Sequence, residues 1–290
     1  MEIVKIKSKK NVEQILKEIS EGCQDAELEI ISLGMGVQST AMYFMSCMGV
    51  LPRADYAIFA DTGSEHNYTY DYLKFLKKYQ KENDGIPIIV TKKNPSLYEK
   101  IISDDKNGYI TIPAYLTDDV GSNAILNRSC TKNYKIEPVY KQIRKLLGLK
   151  KFERTNKKVN LWIGITTDEI QRASISKSPI TINKFPLLSK VISRKDCIDF
   201  YKKNNIPTPK KSACVFCPYN SDKGFIEMKY NNKDEWEKAL KVDRFIRNKI
   251  KKGSAKAYLH KSKKPLQDVE FKNERQQDLF LNNCEGHCGL

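Results

Sequence analysis

The chemistry-bearing residues of this 290-residue chain begin with eight cysteines, at 23, 47, 130, 197, 214, 217, 284 and 288. Cys214-x-x-Cys217 and Cys284-x-x-x-Cys288 have the separations of ligand pairs for a soft metal ion or a cluster. Pro218 stiffens the exit from the first pair, a common neighbour of cluster cysteines. Four thiolates suit a [4Fe-4S] cluster or a tetrahedral zinc ion, and at this point both stay open. Cys23, Cys47 and Cys197 sit in helical apolar patterns and are expected to be small core residues. The charged, amphipathic opening MEIVKIKSKKNVEQILKEIS predicts an unexported, cytoplasmic protein, in which disulfides explain the cysteines poorly.

A second constellation is Ser32-Leu33-Gly34-Met35-Gly36-Val37-Gln38-Ser39-Thr40. Glycines there let backbone amides turn toward an anion, a helix start adds partial positive charge, and Ser39 and Thr40 offer hydroxyls, so a phosphate fits. The segment is neither a Walker A loop nor a G-x-G-x-x-G fingerprint. A third is Asp61-Thr62-Gly63, at a strand end where open α/β sheets bind ligands. Asp61 either bonds a ribose or adenine or caps the next helix. His66, His260 and His287 have no acid-base partner nearby in sequence, which removes a Ser-His-Asp reading. His287, between two candidate ligands, is either a ligand itself or a surface residue.

The elements that must position these residues follow from periodicity. Short apolar runs predict strands at Leu28–Leu33, Tyr56–Ala60, Pro87–Val90 and Val159–Ile165. Helical spacing predicts helices over 11–22, 39–48, 68–79 and 136–147, and Ser193 with Asp196 makes a capping-box start for another ending near Asn204. Strands alternating with helices argue a parallel sheet covered on both faces. Residues 103–127 read as a long loop. Past Pro209 the expectation is a charged helix over 233–251 and no further strand. The implied organisation is an N-terminal helix (1–24), an α/β domain (25–205) and a mainly helical, cysteine-bearing region (206–290).

Lys and Arg number 51 against 35 acidic residues, giving +16, which favours polyanionic partners and makes DNA or RNA a candidate acceptor. Lysines outnumber arginines 42 to 9, however, whereas dedicated phosphate readers favour the guanidinium fork. No run approaches the roughly 18 apolar residues of a membrane span, so no membrane partner is expected.

The glycine loop ending in Ser39-Thr40 and the Asp61-Thr62-Gly63 turn together resemble the PP-loop, or adenine-nucleotide α-hydrolase, superfamily with its Rossmann-like fold. Further ordered matches are Arg128-Ser129-Cys130-Thr131 with Lys135 and Pro138, Gly164 through Arg172, Phe185-Pro186-Leu187, Ser212 through Pro218, and Cys284 through Gly289. This order is similar to the phosphoadenosine phosphosulfate (PAPS) reductase family, and within it to members common in phages and other mobile elements.

The resemblance implies that Ser32, Gly34, Gly36, Gln38, Ser39 and Thr40 hold the phosphates of ATP or a related nucleotide, with Mg²⁺ as a candidate counterion. Asp61, Thr62 and Gly63 would contact the nucleoside, and Gly164, Asp168, Glu169 and Arg172 would close the pocket. Arg172 either grips phosphate or sulfate or pairs with Glu169. The cluster would be [4Fe-4S], held by Cys130, Cys214, Cys217 and Cys284, leaving Cys288 to carry sulfur or attack an intermediate. Relatives that cleave ATP read Ser-Gly-Gly-Lys-Asp-Ser in the loop; here Val37 and Gln38 replace Lys and Asp, so a countercharge for pyrophosphate is missing. Two activities fit: adenylation of an acceptor, including nucleic acid, for sulfur transfer from a donor protein, or thioredoxin-dependent sulfonucleotide reduction. A non-catalytic nucleic-acid-binding module with a structural cluster or zinc is the third reading.

Overall fold

A computed structural model describes residues 22–103, 110–117, 124–176, 178–247, 249 and 255–271. The helix expected over 11–22 lies almost wholly outside these residues, as do Cys284, His287 and Cys288. Strands among the described residues are β1 (Leu28–Ser32), β2 (Tyr56–Asp61), β3 (Ile88–Lys92), β4 (Tyr115–Thr117), β5 (Val159–Trp162), β6 (Thr181–Lys184) and β7 (Lys256–Tyr258). Helices are α1 (Val37–Cys47), α2 (Asn67–Glu82), α3 (Leu97–Ile102), α4 (Glu137–Leu146), α5 (Pro186–Ser189), α6 (Arg194–Lys203), α7 (Asp222–Asn231) and α8 (Lys233–Arg247).

The fold is α/β: a five-stranded sheet in the order β3-β2-β1-β5-β6, flanked by helices. β1 pairs in parallel with β2 and β5, and β5 with β6, in registers such as Ile30 opposite Tyr56 and Leu28 opposite Val159. The chain divides into two compact units: Met1–Ile58, Tyr79–Ile88 and Lys150–Thr208 in one, Phe59–Lys78, Ile89–Leu149 and Pro209–Leu290 in the other.

In the first unit, β5 is buried along its whole length, which is why Val159-Asn160-Leu161-Trp162 is nearly continuous in apolar character. Asn160 is tolerated because its amide donates to Cys23 O and Glu29 Oε1, and its own oxygen accepts the Cys23 N–H. Helix α1 buries Tyr43, Phe44 and Met45, and packs on α6. Phe44 meets Tyr79 and Tyr201 edge-on, at ring separations of 4.8 and 6.3 Å. Ser193 and Asp196 form the expected capping box at the start of α6.

In the second unit, Phe216, Phe225, Met228, Val242, Ile246 and Leu259 belong to one buried cluster. Strands β4 and β7 form an antiparallel pair there, Tyr115 opposite Tyr258. The tail therefore does contain a strand, and the stretch read as a long loop contains β4. Each has three residues, too few for a period of two to be read. No apolar run marks strand β6 in the sequence, because Thr181-Ile182-Asn183-Lys184 is largely polar. The charged helix ends at Arg247.

Candidate nucleotide and sulfur site

In the first unit the glycine loop joins β1 to α1. Leu33 N–H donates to Ile58 O at 2.9 Å, extending the β1–β2 pairing by one step before the chain turns. Met35 then takes a left-handed φ of 59° although it is not glycine, a strained conformation of a sort that clusters at ligand-binding sites. Gly36 is the N-cap, in extended backbone with no side-chain cap, and the first helical bond is Thr40 N–H to Gly36 O. The amides of the first turn thus have no intrahelical acceptor and are available to an anion. Ser39 Oγ accepts from Gly34 N–H at 3.1 Å and donates to Gly36 O at 3.4 Å, so the hydroxyl shapes the loop. Thr40 is fully buried, and its hydroxyl has no hydrogen-bond partner among the described residues.

The later segment reaches this loop at Gly164. A Cβ there would stand 2.8 Å from both Cα and N of Ser39, so only glycine permits the approach. Asp168 accepts from the backbone N–H of Arg194 at 2.6 Å, at the start of α6. Arg194 in turn donates from Nη1 to Gln38 Oε1 at 3.2 Å. A guanidinium therefore stands at the loop position where a charged pair is missing from the sequence. Arg172 is ion-paired with Glu169 three residues before it, the alternative to a phosphate grip that the sequence left open.

In the second unit, Asp61 Oδ1 accepts from Gly63 N–H at 2.7 Å and from Tyr70 O–H at 2.8 Å. The turn is closed by its own aspartate. Asp61 does not cap α2: the Asn67 N–H at that helix start donates to Glu235 Oε1 at 2.6 Å. Gly63 has a φ of 71°, and a Cβ would meet Ser96 Cβ at 2.8 Å and Lys92 Nζ at 3.7 Å, which sets a lysine ammonium beside the turn.

The strand-like segment after this turn pairs with the first cysteine motif. Val215 N–H donates to Ser64 O at 2.9 Å, and Glu65 bridges antiparallel to Cys214. Thr62 Oγ1 lies 3.3 Å from Cys214 Sγ, and Cys214 Sγ is 3.8 Å from Glu65 Oε1. Glu65 is buried, held by Thr62, by Ser212 Oγ at 3.2 Å and by Lys135 Nζ at 3.7 Å. Burial and the Glu65 carboxylate push the Cys214 thiol well above its ordinary value, while Lys135 and Thr62 pull the other way. Cys130 is close enough to act electrostatically on Cys214, and Cys217 N–H closes a turn on Cys214 O at 2.9 Å.

No family model matches the chain, and no curated protein sequence matches it. Among solved structures, the crystal structure of phosphoadenylyl-sulfate (PAPS) reductase from Candida auris, in a phosphate complex, is similar. It is 15% identical over 70% of this chain and 89% of that chain, with a TM-score of 0.41.

Of the residues singled out by sequence, Gly34, Gly36, Gln38, Ser39, Gly164 and Asp168 are connected through the loop and Arg194 in the first unit. Ser32 ends β1 just before it. Asp61, Thr62 and Gly63 are linked with Cys214 in the second. The donor chemistry of Cys130, Cys214 and Cys217 is that of a soft-metal site, though among the described residues no three His, Cys, Asp or Glu side chains converge as a metal-binding group. Cys197 is buried, its thiol pushed up to about 12 by burial, as a core residue should be. The two described histidines do have carboxylate partners: His66 Nδ1 to Glu235 at 2.7 Å and His260 Nε2 to Asp222 at 3.2 Å. Arg194 and Glu235 carry no sequence signal, since each finds its partner far away along the chain, and neither do the Ser212, Cys214 and Lys135 contacts of Glu65. No helix among the described residues is long and apolar enough to cross a membrane.

Proposed function

We propose that this chain is an adenine-nucleotide-dependent enzyme of sulfur chemistry. The observation that supports it is the contact between Thr62, in the turn read as a nucleoside contact, and Cys214, in the cysteine motif, at 3.3 Å. The contact brings the cysteine motif to the turn proposed to hold the nucleoside, which suits an enzyme that handles sulfur beside a nucleotide.

In this reading the free amides at the start of α1 bind phosphate, and Arg194 supplies the countercharge that Val37 and Gln38 do not. The Asp61 turn orients the nucleoside, and Mg²⁺ accompanies the phosphates. A [4Fe-4S] cluster, or zinc in its place, is the soft centre proposed for Cys130, Cys214, Cys217 and Cys284, although the first three do not converge as a metal-binding group in this structure. Such ligation would also keep Cys214 deprotonated where burial alone keeps it a thiol. An acceptor oxygen attacks the α-phosphate of ATP and pyrophosphate leaves; a sulfur nucleophile from a donor protein then displaces AMP, with Cys288 as candidate carrier.

The second reading, a sulfonucleotide reductase using thioredoxin, is favoured by the loop's missing Lys-Asp pair. One experiment separates them. Anaerobically purified protein is incubated with labelled ATP, with adenylyl sulfate and with phosphoadenylyl sulfate plus thioredoxin, and AMP, pyrophosphate and sulfite are measured. Pyrophosphate with AMP supports adenylation, sulfite supports reduction, and neither product with any of the three overturns the enzyme reading.

A further inference from the structure

A cleft of about 370 Å³ in the second unit is lined by Lys92 and Lys93 at the end of β3 and by Glu137, Lys141, Gln142 and Lys145 on α4. Four ammonium groups thus face one carboxylate. That carboxylate, Glu137, is already engaged by Lys93 at 3.6 Å, and Lys93 also donates to Asn133 O at 3.3 Å and sits over the Tyr134 ring. Lys92, Lys141 and Lys145 are exposed, and Lys92 also acts electrostatically on Glu99.

Their arrangement is not what helix stability favours. Lys141 and Lys145 are four residues apart on one face of α4, where like charges repel by a few tenths of a kcal/mol. The helix C-terminus accounts for Lys145, and Glu137 is spaced i,i+4 to Lys141, but that one carboxylate is already engaged by Lys93, which leaves the cleft with a net positive charge. A bound polyanion removes the repulsion. Four residues of helix also rise about 6 Å, close to twice the 3.4 Å spacing of charges along one nucleic-acid strand.

We propose that this cleft docks the phosphodiester backbone of a nucleic-acid strand, with Lys92, Lys141 and Lys145 on phosphates and Gln142 offering hydrogen bonds to sugar or base. Lysine, a flexible point charge, suits contacts that follow a backbone without reading sequence. Lys92 also stands beside the Gly63 turn, but Lys141 and Lys145 on α4 carry the proposal without the nucleotide reading.

The test is fluorescence anisotropy of the full chain with end-labelled single-stranded DNA and RNA, titrated across a salt series. The K141Q/K145Q variant is compared with K77Q/K241Q, which removes the same charge from exposed positions outside the cleft. Circular dichroism checks that both fold. The expected result is a loss of affinity on the order of tenfold in K141Q/K145Q alone, with the salt slope reduced by about one per lysine removed. Equal loss in both variants would mean that only net charge matters and would overturn the proposal. So would binding of inorganic tripolyphosphate at this cleft with no binding of either strand.

Discussion

Thr62 Oγ1 and Cys214 Sγ lie 3.3 Å apart across 152 residues of chain. The contact ties the turn after β2 to the cysteine motif, and Glu65 fixes it by holding Thr62 and approaching the thiol. The fold of a single unit thereby places a thiol beside the turn after β2. Several outcomes can be expected of residues on either side of this relationship.

Arg194 stands at Gln38 without any role that the capping box of α6 requires. Replacing it with Gln removes the loop's fork of donors while leaving the Ser193–Asp196 cap. Affinity for ATP or a sulfonucleotide should fall about tenfold to a hundredfold, the worth of one charge-assisted contact to phosphate. Calorimetric titration of R194Q measures this, and an unchanged affinity would remove Arg194 from the phosphate site.

Gly164 allows its segment to touch the backbone of Ser39. In G164A the new methyl must push against main chain, costing about 1–3 kcal/mol and displacing the loop. Both the thermal midpoint and nucleotide affinity should drop, whereas loss of stability alone would separate the packing from the loop's function.

Glu235 serves a buried donor, His66 Nδ1, and a part-buried one, the Asn67 N–H. Truncation in E235A strands both, at about 3 kcal/mol by the usual cost of unsatisfied buried groups. E235Q keeps one acceptor and should cost less. Urea unfolding of the two variants checks the order.

His260 is held below its ordinary value of 6.5 by burial, partly offset by its bond to Asp222 and that residue's charge. The unfolded chain therefore binds a proton more readily than the folded one. The contribution is intact above about pH 6.5 and is lost as pH falls from there through the folded value. Unfolding midpoints measured from neutral to mildly acidic pH should decline in the wild type and decline less in H260Q.

Local signals explain what was legible in the sequence. The β1 run, the glycine loop and α1 are contiguous, and the Ser193–Asp196 box spans four positions, so period and spacing were enough. Expectations failed where the determinant is long-range or short. Arg194 reaches Gln38 across 156 residues and Glu235 reaches His66 across 169, and no pattern in the chain marks either pair. Strands β4 and β7 exist because they pair with each other, not because three residues carry a period.

The most direct test of the central claim is an equilibrium titration of labelled adenine nucleotides into anaerobically prepared protein, with S39A alongside, because Ser39 Oγ shapes the loop through Gly34 and Gly36. The account predicts saturable binding of one nucleotide per chain, weakened about tenfold or more in S39A. Failure of ATP, adenylyl sulfate and phosphoadenylyl sulfate alike to bind the wild-type chain would contradict it.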